Sequence, residues 1–128
     1  MLDVLFSRKI NEDHSRSCLI VDDVKEAREL FESCLDGIPN LVCVCTGSYC
    51  DALDKLKQLH FDVAILDYNL DSDCTGIDIA REINQHSPET RIMLVSAYEL
   101  PDKIDAKIDV FSDKPISVDE LMKFVKGE

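Results

Sequence analysis

Short apolar runs recur along this chain, and most of them end on a residue that carries chemistry. Cys18–Val21 leads into Asp22-Asp23, Ala64–Leu66 into Asp67, and Met93–Val95 into Ser96, while Val110-Phe111 is followed closely by Asp113-Lys114-Pro115. Segments with helical spacing lie between the runs. Val24, Ala27, Phe31, Cys34 and Leu35 share a helix face, and Gly37 with Pro39 stops that helix. Leu41–Cys45 reads as a second strand, and Ser48 as the cap of a helix whose apolar face is Ala52, Leu53, Leu56 and Leu59. Val63–Leu66 is a third strand, Gly76–His86 a helix ending before Pro88, and Ile92–Val95 a fourth strand. Val110-Phe111 marks a short fifth strand. Ser117-Val118-Asp119-Glu120 is a capping box opening a last helix with Leu121, Met122 and Val125 inward. Strands alternating with helices require right-handed crossovers and a parallel sheet. Strands apolar on both faces fit a sheet covered on both sides. In such α/β folds, ligands bind beyond the carboxyl ends of the strands. Asp22, Asp23, Asp67 and Ser96 all fall at that edge.

The 128 residues suit one domain with a core large enough to stand without disulfides or a structural metal. Residues 1–17 differ from the rest. Leu2, Leu5, Phe6 and Ile10 have roughly helical spacing, and a polar stretch follows, so we expect an N-terminal arm or linker and a domain over 18–128. A net charge of −12 argues against direct binding to nucleic acid or an anionic membrane. No stretch is long enough to span a membrane. The six cysteines sit where small apolar residues would, without a leader-like start and without a Cys-x-x-Cys pair. Free thiols and a cytoplasmic location are expected.

Three carboxylates within about 5 Å of one another repel by roughly 3 kcal/mol per pair at an effective dielectric near 20. They stay ionised together only beside a cation, and an all-oxygen site of carboxylates and waters suits Mg²⁺. Lys114 adds a second positive charge and Ser96 a hydroxyl donor. A tetrahedral phosphoryl group balances that inventory, and one carboxylate is then placed to act as nucleophile. Taken singly, each motif has a plainer reading: Asp-Asp as a helix cap, Asp67 as loop solvation, Lys-Pro as a surface turn. Their joint order and placement at strand ends favour the pocket.

The residues Ile20-Val21-Asp22-Asp23, Phe61–Asp67, Gly76-Ile77-Asp78, Val95-Ser96-Ala97 and Asp113-Lys114-Pro115 together resemble the receiver domain of two-component response regulators, from about Cys18 to the C-terminus. The resemblance implies a flavodoxin-like, doubly wound five-stranded parallel sheet in order 2-1-3-4-5. It implies Asp67 as phosphoacceptor. Asp22, Asp23, Asp67 and the backbone carbonyl of Asn69 would hold Mg²⁺. Lys114 would pair with the phosphoryl group, with a cis bond before Pro115. Ser96 and Phe111 would form the switch, and Asn69 and Tyr98 would tune phosphoryl lifetime. The implied donor is a histidine kinase or a histidine phosphotransfer protein. The function implied is signalling, with self-catalysed phosphotransfer and slow autodephosphorylation, rather than enzymatic turnover. With one helix after the fifth strand, either a stand-alone regulator or the receiver of a larger protein is expected, acting on an output partner.

The sequence also departs from that family. The stretch between Asp67 and Gly76 is slightly long, and Asp71 stands where proline is usual. The stretch from Ser96 to Lys114 is short and contains Pro101, so the fourth helix is expected to be short or distorted and the output face atypical. Two rivals remain. A phosphohydrolase of the haloacid-dehalogenase type needs a second acid two positions after the nucleophile, where this chain has Asn69. A pure interaction domain would not need a complete pocket.

Overall fold

The computed structural model describes residues 15–70 and 73–128. Residues 1–14 of the expected arm, and Asp71 at the usual proline position, lie outside the described residues. The five strands are β1 (Arg16–Val21), β2 (Leu41–Thr46), β3 (Val63–Asp67), β4 (Arg91–Ser96) and β5 (Val110–Asp113). They pair in parallel in the order β2-β1-β3-β4-β5. The helices are α1 (Lys25–Leu35), α2 (Tyr49–Gln58), α3 (Gly76–His86) and α4 (Val118–Lys126). Arg16 and Ser17, read from sequence as the end of the arm, belong to β1.

Alternate residues of the inner strands enter different cores, as the two-residue period of a strand requires. Leu19, Val21, Ala64, Leu66, Ile92 and Leu94 pack under α2 and α3. Cys18, Ile20, Val63, Ile65, Met93 and Val95 pack under α1 and α4. At the full-burial value of about 1.5–3 kcal/mol per large aliphatic side chain, these two layers dominate the stability of the sheet. Among the described residues the cysteines form no disulfide. Cys18, Cys34, Cys43 and Cys45 pack in or against the α1/α4 core as small apolar residues do. Among the described residues no helix is long and apolar enough to cross a membrane.

The cap at Ser48 follows the sequence, the box at Ser117 half-follows it, and a further box at Thr75 comes from the structure. Ser48 accepts the Asp51 N–H, and Thr75 with Asp78 forms a complete capping box on α3. At α4, Ser117 accepts the Glu120 N–H, but the Glu120 carboxylate does not return to close the expected box. It instead accepts a hydrogen bond of 2.6 Å from the Ser112 hydroxyl on β5. The buried hydroxyl of Ser112 needs a partner more than the exposed N-cap amide does.

Between β4 and β5 the expected short or distorted helix is absent altogether; residues 97–109 run without helix. Pro101 disfavours helical geometry at Leu100. Beyond it the chain alternates: Ile104, Ala106 and Ile108 pack against the α2/α3 core, while Asp105, Lys107 and Asp109 face solvent. This strap is tied to α3 by side chains. Asn84 donates to the Lys107 carbonyl at 3.2 Å and accepts the Lys107 N–H at 2.7 Å. Arg81 pairs with Asp105 at 2.6 Å and also with Asp78. Asp109 closes the strap onto β4 by accepting the Ile92 N–H at 2.8 Å.

Candidate functional site

Strand register builds the pocket. Val21 pairs with Leu66, so Asp22 and Asp67 emerge side by side one residue further on. Asp67 is opposite Val95, and Ser96 is opposite Asp113, which brings Lys114 to the same edge. Gly76 allows α3 to start directly behind β3, because a methyl group there would collide with the Asp67 carbonyl and with Leu94. The Lys114–Pro115 peptide is cis, as the family resemblance implied.

Asp22, Asp23 and Asp67 each present a carboxylate oxygen within 4.8 Å of the others. Asp22 and Asp67 are buried and Asp23 is partly exposed. The Lys114 ammonium lies 3.0 Å from Asp22 Oδ2 and 3.1 Å from Asp67 Oδ2. The other oxygen of Asp22 accepts the Val24 N–H at 2.9 Å, and that of Asp67 accepts the Asn69 N–H at 3.2 Å. A cluster of three acids thus has one lysine, which pairs with two of them. Burial, with the neighbouring charge of Asp22, raises Asp67 to about 6, although the Lys114 hydrogen bond opposes that shift. Burial of Lys114 pulls its own pKa down, but the bonds to Asp22 and Asp67 outweigh this and leave it raised. The site is short of positive charge, and its donors are hard oxygens. Both properties fit a small divalent cation such as Mg²⁺.

Ser96 is buried at the same edge. Its hydroxyl donates to the Tyr98 carbonyl at 2.7 Å and accepts the Tyr98 N–H at 3.1 Å, so it is engaged with its own loop. Phe111 is half exposed, and the Tyr98 ring lies largely in solvent. Asn69 is exposed beside Asp67. The sequence therefore located the acids and Lys114 together. It missed Arg28, whose guanidinium donates to the Asp22 carbonyl at 2.7 Å. A position on the first helix carries no signal of that contact, which depends on the neighbouring loop.

A doubly wound parallel sheet with an acidic pocket and a lysine at its carboxyl edge defines an α/β domain of the class that binds ligands beyond the carboxyl ends of its strands. Residues 18–126 match the response regulator receiver domain, and the chain belongs to that family, the receiver domains of two-component signalling. It is 30% identical over 114 residues to the response regulator protein PilR of Pseudomonas aeruginosa, a match covering 86% of this chain and 25% of PilR. The chain thus spans about a quarter of the length of that relative. Among solved structures, it resembles the response regulator TrrA of Thermotoga maritima in complex with Mg²⁺-BeF. The TM-score is 0.78 at 27% identity, covering 88% of this chain and 97% of TrrA. A receiver domain protein of Methanospirillum hungatei shares the fold at a TM-score of 0.80 and 20% identity, over 88% of this chain and 92% of that one.

Proposed function

We propose that the domain from β1 to α4, residues 16–128, forms a phosphoacceptor module that receives a phosphoryl group on Asp67 and changes conformation in response, with the residues before Arg16 as an arm or linker. The convergence of three carboxylates, two of them bonded to one lysine, carries this reading. Asp22, Asp23 and Asp67, with the backbone carbonyl of Asn69, would hold Mg²⁺. When bound, the cation neutralises phosphoryl oxygens and keeps the acids ionised. A carboxylate oxygen of Asp67 attacks the phosphorus of a phosphohistidine. The P–N bond breaks as the P–O bond forms, and the imidazole leaves with the electron pair. Lys114, already between Asp22 and Asp67, offers its ammonium to a phosphoryl oxygen. The donor is a histidine kinase or a histidine phosphotransfer protein, and the setting is the cytoplasm. The complex of TrrA with Mg²⁺-BeF supports assigning Mg²⁺ to this pocket.

Ser96 supplies the conformational readout. Its hydroxyl bonds Tyr98, and drawing it to the phosphoryl group breaks that bond and shifts the loop, opening space for Phe111 to turn inward. A crystal structure with Mg²⁺ and beryllofluoride tests this. We expect the fluoride adduct on Asp67, Ser96 released from the Tyr98 carbonyl and Phe111 buried. An unmoved Ser96–Tyr98 loop with Phe111 still exposed would refute the switch. Tyr98 and Asn69 border the path of a hydrolytic water. The ring of Tyr98, now 74% exposed, slows phosphoryl loss by folding over the site. Tyr98→Ala is then expected to lose its phosphoryl group faster than wild type, and equal rates would remove Tyr98 from the mechanism.

A further inference from the structure

We infer that Arg28 is a positioning residue for the acidic pocket, holding the Asp22-Asp23 turn in its cation-binding geometry, and that Gly47 is the position that makes room for it. This rests on the proposed Mg²⁺ site. Asp22 is fixed at each of its polar groups. Its N–H donates to the Thr46 carbonyl of β2 at 3.1 Å. Its carboxylate oxygens accept from the Val24 N–H at 2.9 Å and from Lys114 at 3.0 Å. Its carbonyl accepts from Arg28 Nη1 at 2.7 Å. That carbonyl belongs to the peptide joining Asp22 to Asp23, so the Arg28 bond sets the plane from which Asp23 departs.

Asp23 depends on that plane. Among the described residues no hydrogen bond or ion pair aims its carboxylate, although it is one of the three oxygens that converge within 4.8 Å. Its direction is therefore inherited from the backbone, and the backbone is held by Arg28. Arg28 comes from the first turns of α1 and reaches across to the loop after β2. There, Gly47 faces the guanidinium. A Cβ added at Gly47 would lie 2.8 Å from Arg28 Nη1, 3.4 Å from its Cζ and 3.8 Å from the Asp22 carbonyl oxygen. Of these, the guanidinium is the end of a flexible side chain and would yield first. An alanine at 47 thus displaces Arg28 without touching its charge.

Charge and positioning predict opposite signs. As a nearby cation, Arg28 repels Mg²⁺, so its removal would tighten binding. As the holder of the Asp22–Asp23 peptide, its removal would weaken binding by about the worth of one hydrogen bond, roughly three- to tenfold. Titration of the metal-free protein with MgCl₂, read calorimetrically, separates the two. We expect Arg28→Ala and Gly47→Ala each to raise the Mg²⁺ Kd by that factor. The double variant should be no weaker than either single one, because both changes remove the same contact. Arg28→Lys, which keeps a donor, should recover part of the loss. Gly47→Ala at wild-type or tighter affinity would overturn the inference. Wild-type protein that binds no Mg²⁺ would overturn the proposed metal site itself, a result distinct from unequal behaviour of the variants.

Discussion

Asp67 is a carboxylate held where its charge is costly. In the unfolded chain it ionises near 3.8, whereas in the folded, metal-free protein burial raises it to about 6. A group whose folded pKa is raised binds its proton more tightly in the native state. Its stabilising contribution is therefore full below about pH 4 and is lost as pH rises to about 6. The loss amounts to about 3 kcal/mol, an order-of-magnitude figure. Removing the carboxylate removes that dependence. Without metal, Asp67→Asn should gain on wild type by about 1–3 kcal/mol between pH 4 and pH 7, and millimolar Mg²⁺ should stabilise wild type more than the variant. Urea melts of the two proteins across that range measure the difference. A difference flat with pH would contradict the buried, undercompensated charge.

The strap over residues 97–109 is the element that most separates this chain from its family's pattern. Its apolar side chains cover the core, and Asn84 ties its backbone down through two bonds to Lys107. Both bonds are exposed, so water replaces part of what is lost when they break. Asn84→Ala should cost about 1–2 kcal/mol. It should also speed exchange of the Lys107 amide while leaving β3 amides protected. Unchanged exchange at Lys107 would show that the strap does not depend on this tie. The strands and the cap at Ser48 could be read in the sequence because each depends on local pattern alone. The strap was also written there, in the alternation of Ile104, Ala106 and Ile108 with charged residues. Pro101 and the short spacing suggested a damaged helix rather than an extended segment. The half-made box at Ser117 was not legible, because Glu120 is claimed by Ser112, whose burial only the fold reveals.

For the whole molecule, parallel order and register turn scattered strand ends into one site. Asp22, Asp23, Asp67 and Lys114 were legible because each follows an apolar run whose direction the alternating pattern fixes. Arg28 was not, since its role depends on how closely the loop at Gly47 approaches α1. The two cores hold the sheet, while the last residues of β3 and β4 and the loops after β1 and β5 carry Asp67, Ser96, the Asp22-Asp23 pair and Lys114 at its carboxyl edge. The central claim is that Asp67 accepts a phosphoryl group, and intact mass after incubation with acetyl phosphate tests it most directly. We expect wild type to gain the mass of one phosphoryl group in the presence of Mg²⁺ and to gain none when Mg²⁺ is chelated, with Asp67→Asn gaining none in either case. A full gain in Asp67→Asn, or no gain in wild type at saturating donor and Mg²⁺, would contradict it.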